Sequence, residues 1–232
     1  MTIQAVFFDA AGTLIRPVRR VGESYALIAA KYGIEANPAV IAARFRQCFA
    51  SAPPLAFPEA ASSDIPQLER DWWKRLVERI FAPWHPFETF DDCFSELFAY
   101  FAEPQSWSLY PEAIEILAEL DRRGFILDVI SNFDSRLITI LDGLSAASYF
   151  QNIFISSRVG HAKPAREIFA AALRSHDLTP GAAVHVGDDV ESDFRGALGA
   201  GLRAVLVDRA GEGPELSLRV SNLKEILSLL ND

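Results

Sequence analysis

Five short apolar runs constrain the fold of this chain more than any other feature of its sequence. The runs occupy residues 5–8, 126–130, 153–155, 183–186 and 204–207. Each is predominantly apolar at successive positions, which is expected of a strand that is buried on both faces. The sequence therefore predicts a parallel sheet covered by helices on each side.

Helical patterns separate most of these runs. They cover residues 111–123, 135–144, 164–175 and 192–200, and each begins with proline or with a residue that commonly caps a helix. Strands and helices thus alternate along the C-terminal half of the chain. This alternation predicts a doubly wound α/β fold.

Residues 17–104 interrupt the alternation, because they contain helical patterns but no convincing strand. In the segment QLERDWWKRLVERIF, an apolar residue recurs every four positions and forms one stripe along a helix, at Leu68, Trp72, Leu76 and Ile80. We therefore predict two domains: an α/β core of residues 1–16 and 105–232, and a helical insertion of residues 17–104.

Net charge and cysteine content disfavour several classes of function and cellular location. The net charge of −9 and the pI near 5.0 disfavour a nucleic-acid or anionic-membrane surface, since both require basic patches. Cys48 and Cys93 lack the spacing of a metal site or a disulfide framework, which favours reduced thiols in a cytoplasmic protein. The N-terminal apolar run is interrupted at Asp9, so we expect neither a signal peptide nor a membrane span.

Polar residues follow several of the predicted strands, where open parallel sheets bind their ligands. Asp9, Ser131 and Asp188 stand at or just after the ends of three runs, and Lys163 lies in the loop after a fourth. Singly, each has an ordinary explanation, such as capping a loop or starting a helix. Together they indicate an active site, because a carboxylate, a hydroxyl, a lysine and an acidic cluster follow the strands in this order.

The acidic cluster that follows the fourth run is the best candidate for a metal site. It contains the carboxylates Asp188, Asp189, Glu191 and Asp193. Clustered carboxylates repel one another, and Mg²⁺, which prefers oxygen ligands, would relieve that repulsion. The alternative is a solvated acidic helix start, which the helix dipole also favours.

Four motifs together resemble the haloacid dehalogenase (HAD) superfamily over essentially the whole chain. They are VFFDAAGTL, VISN, the KP pair before a helix, and VGDDVESDFRGALGAG. The segments RDWWKRLV, FRQCF and VISNFDSRL are also similar to the HAD-like hydrolase domain-containing proteins. The resemblance implies a Rossmann-like core with an inserted α-helical cap, which agrees with the insertion of residues 17–104.

The resemblance also implies chemistry for the matching residues. Asp9 would be the nucleophile that attacks a small phosphorylated substrate, Ser131 would hydrogen-bond the transferring group, and Lys163 would neutralise its charge. Further substrate contacts are expected from Thr13 and Asn132.

A Mg²⁺ cofactor is the other implication of the resemblance. The expected ligands are Asp9, Asp188, Asp193 and the backbone carbonyl of Ala11, with Asp193 alternatively orienting Lys163 or a metal-bound water.

Ala11 departs from the family pattern, because most phosphatases of this family carry an aspartate there that acts as acid and base. Losing such a group costs roughly 10²- to 10⁴-fold in rate. His161, two residues before Lys163, is the candidate replacement, although a solvated loop histidine is the simpler interpretation. His185 lies inside a predicted strand and is interpreted as a packing residue.

Alternative functions remain open at this point. Phosphonoacetaldehyde hydrolases carry DxAGT, as at Asp9 to Thr13 here, but they need a cap lysine, for which Lys31 and Lys74 are the candidates. Dehalogenases usually lack the acidic motif that is retained here, so dehalogenation is disfavoured. The leading prediction is slow Mg²⁺-dependent phosphatase activity, with a C–P hydrolase or an impaired phosphate-binding protein as alternatives.

Overall fold

A computed structural model describes residues 2–214, 216 and 218–230. In these residues the strands are β1 Ala5–Phe8, β2 Ile15–Pro17, β3 Trp107–Leu109, β4 Ile126–Ser131, β5 Asn152–Ile155, β6 Ala183–Gly187, β7 Arg203–Val207 and β8 Arg219–Val220. Within this part of the chain, six of them form one sheet in the order β5-β4-β1-β6-β7-β8, and every neighbouring pair in it is parallel. The predicted parallel sheet is confirmed.

Helices cover both faces of this sheet. Within the described ranges they are α1 Val21–Lys31, α2 Pro38–Ala50, α3 Ile65–Phe81, α4 Phe90–Tyr100, α5 Ala113–Arg122, α6 Arg136–Gly143, α7 Ser156–Val159, α8 Arg166–Ser175, α9 Gly196–Gly199 and α10 Ile226–Leu229. Val6 and Phe8 of β1 pack in one apolar cluster with α5 and α6, whereas Phe7 packs in a second cluster with α8. This three-layer arrangement confirms the doubly wound, Rossmann-like α/β fold.

Three short strands were not predicted. β2 pairs antiparallel with β3, which brings the chain entering the helical insertion beside the chain leaving it, and β8 pairs with β7 at the sheet edge. Strands of two or three residues are too short for apolar periodicity to identify them.

The structure corrects two of the predicted helices, one in its first residue and one in its helix type. α8 begins two residues after the predicted start at Pro164, because Ala165 still has an extended ψ of 135°. Residues 192–200 are not one α-helix: a π-helical turn, Val190–Arg195, precedes α9. The turn starts early because the Asp189 side chain accepts hydrogen bonds from the backbone N–H groups of Glu191 and Ser192.

Helices α1 to α4 lie between β2 and β3 and share an apolar cluster of their own. Trp72, Leu76 and Ile80 of the predicted stripe are buried in it, and Leu68 is half-buried. The bounds of the predicted cap, residues 17–104, stay a prediction. Among the helices that the structure describes, none is both long and apolar enough to cross a bilayer.

Polar contacts fasten this helical segment to the carboxyl edge of the sheet. Glu69 of α3 is only 3% exposed, and its Oε1 accepts hydrogen bonds from Ser135 N (3.0 Å), Ser135 Oγ (2.8 Å) and Ser157 Oγ (2.6 Å). Four residues further along α3, Trp73 Nε1 donates to Asp134 Oδ2 at 2.6 Å. The loop that follows β4 is therefore held directly by α3.

Replacing Glu69 with alanine should destabilise the protein by about 1–3 kcal/mol, because buried N–H and O–H donors lose their acceptor. The free energy of unfolding in urea measures this effect. Glu78→Ala is the matched control, since Glu78 is exposed on the same helix and its loss should change stability by less than about 0.5 kcal/mol. Equal effects of the two variants would contradict the interpretation of Glu69.

Candidate active site

The carboxyl edge of the sheet brings the predicted site residues together. β1 lies between β4 and β6, and its last residue, Phe8, is in register with Val129 and Val186. The Asp9 N–H donates to Val186 O at 2.9 Å, so Asp9 continues the strand and stands beside the ends of both neighbours. Central strands of a parallel sheet thus position the candidate nucleophile.

Lys163 lies at the centre of the site and is only 4% exposed. Its Nζ donates to Asp9 Oδ1 at 2.7 Å, to Asp193 Oδ1 at 2.6 Å and to the carbonyl oxygen of Ile130 at 2.7 Å. Burial acts to lower the pKa of Lys163, but Asp193 and Asp9 outweigh burial and raise its pKa to about 12. The ammonium therefore stays charged.

Ser131 and Asn132 contact the residues on either side of this ion pair. Ser131 Oγ donates to Asp9 Oδ1 at 3.2 Å. Asn132 Oδ1 accepts from Lys163 N at 2.7 Å, and Asn132 Nδ2 donates to Lys163 O at 2.9 Å. Asn132 therefore holds the Lys163 backbone with both ends of its amide, and its predicted substrate contact stays a prediction.

Asp193 accepts hydrogen bonds at both of its carboxylate oxygens. Oδ1 lies 2.6 Å from Lys163 Nζ and 3.0 Å from His185 Nε2, while Oδ2 accepts from Asp189 N at 3.0 Å. Burial alone would raise the pKa of Asp193, but Lys163 and His185 hold it below its ordinary value. These contacts agree with the prediction that Asp193 orients Lys163. Its direct ligation of a metal stays a prediction.

The interpretation of His185 as a packing residue is incomplete. His185 is fully buried in β6, as that interpretation requires, but it also contacts Asp193 in the site. Burial lowers the pKa of His185. A polar side chain at the centre of an otherwise apolar strand was the signal for this role, since such a side chain needs a partner.

Asp9, Asp188 and Asp193 form a possible metal site, with one oxygen of each within 4.8 Å of the others. Asp188 has no salt bridge among the residues that the structure describes. Desolvation of its carboxylate, together with repulsion by Asp9 and Asp193, raises the pKa of Asp188 to about 7. An all-oxygen donor set with unrelieved negative charge suits Mg²⁺.

Two glycines permit the close approach of these carboxylates. Gly12 has a φ of +103°, and a Cβ there would lie 2.2 Å from Asp188 Oδ2. Asp188 is exposed as a residue, but its carboxylate is packed against this backbone, which accounts for its desolvation. A Cβ on Gly187 would lie 2.2 Å from Asp193 Cγ. The absence of a side chain at Gly12 thus makes room for Asp188.

Three other residues of the predicted site, Thr13, Ala11 and His161, remain to be placed. Thr13 is fully buried, and its Oγ1 donates to Asp188 Oδ1 at 3.5 Å, so its hydroxyl faces the acidic cluster. Ala11 is half-buried and packs against the apolar cluster of α5 and α6. The role of the Ala11 backbone carbonyl as a metal ligand stays a prediction. His161 is half-buried, and its role as a replacement acid also stays a prediction.

The class of protein is defined by a doubly wound sheet that places Asp9, Ser131 and an acidic cluster at the ends of its central strands, with Lys163 reaching them from the loop before α8. The family model of haloacid dehalogenase-like hydrolases matches residues 3–201. The chain therefore belongs to the haloacid dehalogenase-like hydrolase family and is a hydrolase.

Individual relatives agree with this assignment. The chain is 33% identical over 209 residues to human haloacid dehalogenase-like hydrolase domain-containing protein 3, covering 89% of this chain and 82% of that protein. It is 42% identical over 133 residues to phosphoserine phosphatase of Thermus thermophilus, covering 55% and 53% of the two chains. The structure of the HAD-hydrolase YfnB from Bacillus subtilis bound to magnesium aligns over 100% of both chains, with a TM-score of 0.78 and 15% identity, which supports the fold alone.

The metal-free protein should become less stable as the pH rises from about 6 to about 8. The pKa of Asp188 is about 7 in the folded state and near 3.8 when unfolded, so the stability from its protonated form is lost as the pH rises through 7. Mg²⁺ binds the deprotonated carboxylate and should raise the unfolding temperature more at the higher pH.

Thermal unfolding with and without MgCl₂ at both pH values measures this dependence. Asp188→Asn should flatten the pH dependence and weaken the stabilisation by Mg²⁺. Asp189→Asn is the adjacent control, because asparagine retains the cap on the π-helical turn and should behave as the parent protein. The same pH profile in Asp188→Asn would contradict the prediction.

Proposed function

We propose that this hydrolase is a Mg²⁺-dependent phosphatase that acts on a small phosphorylated metabolite through an aspartyl-phosphate at Asp9. The observation that carries the proposal is the hydrogen bonding of the Asp9 carboxylate, which differs between its two oxygens. Lys163 and Ser131 both donate to Oδ1, and no described residue donates to Oδ2. A carboxylate with one oxygen held by hydrogen bonds and one oxygen without a donor is suited to nucleophilic attack through the second oxygen.

In the proposed reaction, Asp9 Oδ2 attacks the phosphorus of a phosphomonoester and the bond to the leaving oxygen breaks. The leaving oxygen takes a proton from water, because position 11 is alanine. The hydroxide left by that water takes a proton from a second water, which attacks the aspartyl-phosphate at phosphorus. The bond from phosphorus to Asp9 Oδ2 breaks, and inorganic phosphate and the Asp9 carboxylate are released. Atoms and charge therefore balance with water as the only co-reactant.

The residues around Asp9 offset the charge of the incoming substrate. A phosphomonoester and a carboxylate repel each other, and the Lys163 ammonium and the Ser131 hydroxyl are close enough to Asp9 to stabilise the phosphoryl oxygens. Mg²⁺ bound by Asp9 and Asp188 would neutralise further negative charge on the transferring group. Without both cations the attack should be slow.

Relatives and composition support the substrate class. The phosphatase activity named for the Thermus thermophilus relative supports a phosphomonoester, and the cluster of Asp9, Asp188 and Asp193 supports Mg²⁺ as the cofactor. The net charge of −9 supports a small-molecule substrate over a nucleic acid or a membrane. The two buried free cysteines support a cytoplasmic location.

The contacts of the cap lysines do not favour the C–P alternative. A Schiff base forms from a neutral amine, and a lysine is usually activated for this by burial. Lys31 forms an exposed salt bridge with Glu96, and Lys74 pairs with Asp91 at 2.7 Å. The hydrogen bond to Asp91 raises the pKa of Lys74. The retained acidic cluster likewise disfavours dehalogenation.

Asp9→Asn should lower phosphomonoester turnover by roughly 10³-fold or more, because the amide is a poor nucleophile. Steady-state rates on a panel of phosphomonoesters, with and without MgCl₂, measure this loss. Acid quenching should trap a phosphorylated protein only when Asp9 is present. Asp142→Asn, an exposed position on α6, is the matched control and should retain full activity. Undetectable turnover in the parent protein, or equal rates in Asp9→Asn, would refute the proposal.

Ala11→Asp should accelerate hydrolysis by about 10²-fold, because a carboxylic acid then protonates the leaving group and activates water. The expected gain is largest for substrates with poor leaving groups, so rates on alkyl and aryl phosphates should be compared. Ala11→Asn is the control of equal size that has no acid. Equal acceleration by both variants would contradict the acid/base explanation, and tight phosphate binding without turnover would favour the phosphate-binding alternative.

A further inference from the structure

His185 is a fully buried polar residue at the centre of β6, next to the central strand of the sheet. In the sheet register its neighbours are Phe7 on β1 and Ala204 on β7. Its ring also packs edge-to-face on Phe169, with the ring centroids 5.2 Å apart. These neighbours are apolar, and the polar contact of the ring is with Asp193.

The contact with Asp193 assigns the tautomer of His185. Nε2 lies 3.0 Å from Asp193 Oδ1, which also accepts from the Lys163 ammonium. An ionised carboxylate only accepts hydrogen bonds, so Nε2 must carry the proton. Nδ1 is buried and has no hydrogen-bond partner among the described residues.

Packing alone does not explain a histidine at this position. The unpaired Nδ1 loses its hydration on folding and gains no hydrogen bond in return, which a phenylalanine ring would avoid. The residue is therefore explained by what Nε2 does. That bond is one of three contacts on Asp193, together with those from Lys163 and the Asp189 N–H.

The hydrogen bond of His185 acts on the nucleophile through two further contacts. Asp193 holds the Lys163 ammonium at 2.6 Å, and the same ammonium holds Asp9 at 2.7 Å. Removing the Nε2 donor would allow the Asp193 carboxylate to rotate about its Cβ–Cγ bond. Lys163 would then lose its fixed position beside Asp9.

We propose that His185 is a positioning residue of the hydrolase: its ring donates from Nε2 to Asp193 and so keeps Lys163 aligned with Asp9. This role rests on the function proposed above. It concerns transition-state charge rather than substrate recognition, so loss of the donor lowers kcat and leaves KM nearly unchanged.

Two variants separate the donor from the ring. His185→Phe retains the ring and its packing on Phe169 but has no donor, whereas His185→Gln has an amide Nε2 that reaches Asp193. We expect His185→Phe to lower kcat by about 10- to 100-fold with KM within about threefold, the usual effect of losing a residue that orients another. His185→Gln should retain kcat within about threefold. If His185→Phe does not fold, His185→Met is the second variant without a donor.

Nitrogen NMR of the imidazole gives a measurement that does not depend on activity. In metal-free parent protein, Nε2 of His185 should show the chemical shift of a protonated nitrogen and Nδ1 that of an unprotonated one. Both shifts should move in Asp193→Asn. A ring protonated at Nδ1 alone would overturn the inference, because Nε2 would then have no proton to donate.

The kinetic results have equally defined meanings. Full kcat in His185→Phe, or equal loss in His185→Phe and His185→Gln, would show that the donor is not what matters. If the parent protein hydrolyses no phosphomonoester, the proposed function fails, and the NMR measurement still decides whether His185 holds Asp193.

Discussion

The buried ammonium of Lys163 is the interaction on which the rest of the site depends. A cation that is 4% exposed is unstable in a protein interior unless carboxylates surround it. Asp9 and Asp193 meet this requirement from β1 and from the turn after β6, and the carbonyl oxygen of Ile130 completes the contacts from β4. Two ion pairs and one hydrogen bond of Lys163 thus join the carboxyl ends of three neighbouring strands.

The arrangement leaves more negative than positive charge in the site. Asp9 and Asp193 pair with the one buried lysine, and Asp188 lies beside them without an ion pair among the described residues. Burial, together with repulsion by Asp9 and Asp193, raises the pKa of Asp188. A divalent cation would restore the balance, and so would protons in its absence. Glycine stands at positions 12 and 187 for a steric reason, because a Cβ at either position would collide with one of these carboxylates.

The helical segment takes part in the organisation of the site through the loop after β4. Glu69 and Trp73 of α3 hold Ser135 and Asp134, which follow Ser131 by only three or four residues. Arg136, the next residue, forms a salt bridge with Asp134, and its Cζ lies 4.0 Å from the centroid of the Phe98 ring on α4. The loop directly after the Ser131 hydroxyl is therefore held by contacts from two helices of the insertion. This coupling gives the insertion a structural role besides any contact with substrate.

The sequence by itself determined the alternation of strands and helices, the helical insertion and the order of Asp9, Ser131, Lys163 and Asp188 at strand ends. These features are local: apolar runs report strands, and polar residues directly after them report the edge where ligands bind. Only the tertiary structure decided that β2 pairs with β3, that Asn132 holds the Lys163 backbone, and that His185 and Glu69 are buried partners of other residues. The physical reason is sequence distance. Most of these contacts join residues tens of positions apart, so no local pattern specifies them, and even the nearby His185–Asp193 contact depends on how the turn after β6 folds back.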